Sequence, residues 1–125
     1  MGSERHLRVH LPVALNLTSQ PEPDLSVVRG KVKNYSREHP SPEDILLLIE
    51  VSDTTFRQDK LIKAALYSEA GIPELWILDL NRSRVVVHTG PEGRDYGSIV
   101  AFHKGDKLAP SCASDVAINL DDVLA

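Results

Sequence analysis

The chain is poor in several things. It has one cysteine, Cys112, so no internal disulfide can form, and that fits a cytoplasmic protein. Only 5% of its residues are aromatic, with a single tryptophan. No apolar run approaches the ~20 residues that span a bilayer, and no signal-peptide segment opens the chain. It lacks an excess of positive charge: the formal net charge is −4. A protein held on nucleic acid mainly by phosphate contacts is usually basic, so constitutive tight DNA binding is disfavoured. An acidic site that meets DNA only transiently is not excluded. There is no internal repeat and no low-complexity segment. The five histidines show no metal-ligand spacing, and neither "AGIP" nor "GPEG" has a phosphate-loop pattern.

What is present fits one globular domain over residues 1–125. The 42% apolar and 26% charged residues are ordinary for a soluble fold. A chain of this length buries roughly two-thirds of its surface on folding. "RVHLPVALNL" (8–17) reads as a strand with an edge position at Pro12. "DLSVVRG" (24–30) reads as a short strand, and residues 31–44 as a polar loop with two prolines. "ILLLIEV" (45–51), apolar but for Glu50, is suited to a central strand buried on both faces. A helix follows from about Phe56 to Ala70. Gly71 suits its stop, and Pro73 cannot continue it. "ELWILDL" is the next strand, with Trp76 in the core. Asn81–Ser83 turn into "RVVVHT", "GPEG" makes another turn into "SIVAFH", and "DVAINLDDVLA" closes as a strand and a helical turn. The order is a mixed α/β (α+β) arrangement.

Within this order one carboxylate is out of place. Glu50 ends an apolar strand, where an unpaired charge is costly. Ser52, two residues on, points to the same face of the strand. On the helix, Asp59, Lys63 and Tyr67 recur every fourth residue and share a face. Asp24 follows Pro23 at the entry of a short strand. Two carboxylates on neighbouring strands, with the backbone carbonyl of Val51, make a hard-oxygen set suited to Mg²⁺ or Mn²⁺. A nearby ammonium could orient water and offset charge developing on a phosphate. The plainer alternatives are a turn aspartate at position 24, a structural Glu50–Lys63 ion pair, and an Asp59–Lys63 pair on the helix surface. Tyr67 reads as a packing residue with its hydroxyl at the rim.

"PEPDLSVV", "LLLIEVSDTT" and "DKLIKAALYSEAGIPELWILD" resemble the putative restriction endonuclease family of the PD-(D/E)xK nuclease superfamily. The likeness runs from about Arg8 to "INLDDVL" and is most specific from the helix into the following strand. It implies a restriction-endonuclease-like mixed sheet with flanking helices and a magnesium-dependent endonuclease hydrolysing DNA phosphodiesters. Asp24 would match the PD aspartate and Glu50 the (D/E). Ser52 stands where the usual lysine falls, and Lys63 would replace it from the helix; Lys60, on another helix face and off the family spacing, is a second candidate. Ser52, Asp59 and Tyr67 would support the site. The chain begins at what would be a later strand of the family, without its N-terminal helical part. The chain is therefore expected to be a truncated piece of a longer one, a shortened relative, or a subunit that completes its core as a homodimer. A catalytically inactive, nucleic-acid-binding or self-associating relative is the alternative.

Overall fold

The computed structural model describes residues 5–9, 13, 23–30, 39–52, 56–113 and 116–122. Six strands form one mixed sheet, in chain order across the sheet. They are β1 (Arg5–Val9), β2 (Leu25–Arg29), β3 (Ile45–Ser52), β4 (Glu74–Asp79), β5 (Arg84–Glu92) and β6 (Asp95–His103). Neighbours are antiparallel except β3 and β4, which are parallel. A parallel pair needs a long crossover, and helix α1 (Phe56–Glu69) supplies it. A two-stranded sheet of β7 (Lys107–Leu108) and β8 (Ile118–Asn119) stands apart. Among the described residues no helix is long and apolar enough to cross a membrane.

The central strands are apolar on both sides because both faces are covered. On one face Leu48, Leu75, Ile77 and Val86 pack with Tyr67, Ala64 and Leu66 of α1. On the other, Leu47, Trp76, Val85 and Val87 pack under Leu108 and Leu120 of the C-terminal segment. Each such aliphatic side chain contributes roughly 1.5–3 kcal/mol by leaving water.

The helix stop is sharply built. The Ile72 N–H donates to the Tyr67 carbonyl at 3.0 Å and the Gly71 N–H to that of Ser68 at 2.9 Å. This is the six-to-one, five-to-two pattern of a Schellman stop. Gly71 takes the left-handed φ of +81° that the pattern requires.

Three expectations need correction. The first strand lies at Arg5–Val9 rather than 8–17, and most of 10–22 lies outside the described residues. The stretch 39–44 is not all loop: Pro42–Asp44 form a 3-10 turn with Ser41 and Asp44 as its capping box. "GPEG" is not the turn between β5 and β6. Strand β5 continues through Gly90, Pro91 and Glu92, and Glu92 pairs with Asp95, so Gly93 and Arg94 close the hairpin. Residues 53–55, between β3 and α1, lie outside the described residues.

Candidate functional site

The sheet register brings the first two carboxylates together. Leu25 pairs with Ile49 across the antiparallel β2–β3 ladder. One step further along, Asp24 falls opposite Glu50, and residues directly opposite share a face. The Val51 N–H donates to Asp24 Oδ2 at 2.6 Å, which ties the aspartate to the end of β3. The Ser52 carbonyl accepts the Leu80 N–H at 2.9 Å, so the backbone of residue 52 faces β4. Alternation then turns the Val51 backbone toward β2. Its carbonyl shares the Asp24 edge with its N–H.

The helix supplies the rest. Lys63 Nζ donates to Glu50 Oε1 at 3.0 Å, and the Tyr67 hydroxyl donates to Glu50 Oε2 at 2.6 Å. Glu50 is 2% exposed, whereas the Lys63 side chain is 41% exposed. The glutamate is therefore buried with both oxygens satisfied, one by a cation at the surface and one by a neutral donor inside. Tyr67 is wholly buried. Burial, chiefly, and then the Glu50 carboxylate push its hydroxyl well above the ordinary phenol range, with Asp24 adding to the effect. The hydroxyl keeps its proton and acts on Glu50 only as a donor.

Asp24, Glu50, Lys63 and Tyr67 are thus gathered into one cluster. Ser52 lies buried on the same face, in register with Asp79 of β4. The side chain of Asp59 lies outside the described residues, as does that of Lys60. Tyr67 is not at the rim: its ring is in the core and its hydroxyl is on the glutamate. Its four-residue spacing from Lys63 was the available signal. Asp79 ends β4, where its carboxylate accepts the Arg82 N–H at 3.3 Å and pairs with Arg84 Nε at 3.0 Å. It braces the β4–β5 turn.

Among the described residues no group of three or more His, Cys, Asp and Glu side chains is gathered as for a metal ion. The oxygen donors on hand are Asp24, Glu50 and the Val51 carbonyl. Such a set fits Mg²⁺, which usually takes one or two carboxylates and keeps several waters. A hollow of about 550 Å³ lies on the same face between α1 and β5–β6, lined by Leu61, Val86, His88, Tyr96 and Ile99 among others. Neither carboxylate lines it, so the cluster and the hollow are separate features.

A family model described as putative restriction endonuclease (Uma2) matches residues 2–121. The chain belongs to this family. The fold agrees with it. The structure is similar to the crystal structure of a putative nuclease belonging to DUF820 from Anabaena variabilis ATCC 29413. The TM-score is 0.71 at 19% identity, over 96% of this chain and 68% of that one. A search of curated proteins gave no match. Family and neighbour alike are described as nucleases, and the restriction-endonuclease-like fold expected from the sequence is the one observed.

Proposed function

We propose that the chain is a metal-dependent nuclease that hydrolyses DNA phosphodiester bonds at the Asp24–Glu50–Lys63 cluster. The observation that carries this reading is the buried Glu50 carboxylate, paired with a half-exposed lysine and next in the chain to Val51, whose N–H binds Asp24. Asp24, Glu50 and the Val51 carbonyl would hold Mg²⁺ or Mn²⁺. When bound, the ion supplies Lewis acidity and positive charge at the scissile phosphate.

The protein's own residues perform the remaining tasks. Glu50 keeps negative charge at the floor of the site, where burial excludes competing water. Lys63 stands at the mouth. Its ammonium has more than one N–H, so it can hold Glu50 and donate to an attacking water, leaving a water lone pair aimed at phosphorus. The same charge offsets the negative charge that builds on the phosphoryl oxygens. Ser52, on the Glu50 face, supplies a hydroxyl where the usual pattern has a lysine. With a net charge of −4, the encounter with DNA is brief and depends on this local charge balance rather than on a broad basic surface.

Calorimetric titration with Mn²⁺ tests the reading. The wild type should bind the ion, and Asp24→Asn should weaken binding by about 10-fold or more while its circular dichroism stays unchanged. Absence of binding by the folded wild type would contradict the proposal and favour a non-catalytic member of the family.

A further inference from the structure

We infer that Tyr67 is the positioning residue of this site: its hydroxyl holds the inner oxygen of Glu50, so that only Oε1 is presented outward, to Lys63 and to a divalent cation. This deepens the proposed function and rests on it.

The two oxygens of Glu50 are not equivalent. Oε2 accepts from a fully buried phenol at 2.6 Å, and Oε1 accepts at 3.0 Å from a lysine that reaches solvent. The terminal torsion of a glutamate is broad and roughly two-fold. Without a partner for Oε2, rotation about it would exchange the two oxygens or turn both toward Lys63. The hydroxyl removes that freedom and makes Glu50 a one-oxygen ligand.

Tyr67 is itself held at a fixed depth. It is the residue whose carbonyl receives the Ile72 N–H in the helix stop, which fixes its turn of α1 against the sheet. A tyrosine needed only to fill the core would have no use for a hydroxyl aimed at the carboxylate. The helix period makes the arrangement economical, because residues 63 and 67 lie one turn apart and grip the two oxygens from the same side.

Tyr96 provides a matched control. It packs in the same core cluster, and its hydroxyl also makes one buried hydrogen bond, but to the Ile72 backbone rather than to Glu50. The test compares Tyr67→Phe with Tyr96→Phe by Mn²⁺ calorimetry and urea unfolding. Both variants should lose similar stability. Tyr67→Phe should bind Mn²⁺ about 10-fold more weakly than wild type, whereas Tyr96→Phe should stay within about twofold. Equal Mn²⁺ affinity in Tyr67→Phe and wild type, or equal weakening in both variants, would overturn the inference while leaving the nuclease reading intact. Failure of the wild type to bind would overturn both. Should Tyr67→Phe not fold, Mg²⁺ titration of wild type with ¹³Cζ-labelled tyrosine decides. The Tyr67 resonance should move and that of Tyr96 should not, and an unmoved Tyr67 resonance would overturn the inference.

Discussion

Glu50 and Glu74 lie in neighbouring parallel strands, on opposite faces of the sheet, and both are buried. Their partners differ in kind. Glu74 Oε2 accepts from Trp76 Nε1 at 2.7 Å and Oε1 from the Ser111 N–H at 2.9 Å. Both donors are neutral, and one belongs to the C-terminal segment that covers this face. Glu74 therefore staples that segment to β4. Glu50 instead takes a half-exposed ammonium and a buried phenol, with a second carboxylate alongside. Burial of a carboxylate does not by itself mark a site. In the proposed reading, what would mark the site is a half-exposed counter-charge together with a second carboxylate tied to the same strand end.

The comparison can be broken by exchanging the roles of the two residues. The largest effect is expected from Glu50→Gln, which keeps shape but loses charge. Metal-dependent cleavage should fall to background while urea unfolding shows a folded protein. The same change at Glu74 should leave cleavage per folded molecule unaltered.

Next is Lys63→Ala, expected to lower kcat by about 10²–10³, as measured under saturating metal and substrate. Loss of similar size on replacing the exposed Arg82, which pairs with Asp79 instead, would erase the distinction.

Glu74→Ala should act on stability rather than chemistry. It leaves the Trp76 indole N–H and the Ser111 N–H without their acceptor, at a cost of about 1–3 kcal/mol by urea unfolding. An unchanged unfolding midpoint would show that the staple holds nothing.

The smallest effect is one of pH. Burial lowers His88 from its ordinary value of 6.5, against the opposing pull of the Leu75 and Val86 carbonyls beside Nδ1. The unfolded chain then binds more protons than the folded one at mildly acid pH. Stability is fully present above pH 6.5 and is lost as pH falls through the lowered folded value. The slope for this single proton is at most about 1.4 kcal/mol per pH unit. His88→Gln should flatten the wild-type curve between pH 6.5 and 5, and identical curves would rule out the contribution.

Much of this molecule was legible in the chain, for reasons visible at particular residues. The short apolar run Ile45–Ile49, bounded by a polar loop, suited a strand covered on both sides. Gly71 and Pro73 fixed the helix stop, because few other residues suit a left-handed position followed by a break. The Asp24–Glu50–Lys63 grouping was legible through the family likeness. Other features depend on contacts that spacing does not encode. Gly90 and Gly93 both carry positive φ, and only pairing with β6 decides which of them closes the hairpin. The helical period put Tyr67 on the Lys63 face but not at a depth, which depends on how α1 lies on the sheet. The partner of Glu74 comes from Ser111, far along the chain, and no local pattern announces it.

The central claim is that Glu50, and not Glu74, belongs to a metal-dependent cleavage site. It is tested most directly by incubating DNA with wild type, Glu50→Gln and Glu74→Gln, each with Mg²⁺ or Mn²⁺ and each with chelator. The account predicts cleavage by wild type and Glu74→Gln in the presence of metal alone, and none by Glu50→Gln. Equal cleavage by all three proteins, or cleavage that persists in chelator, would contradict it.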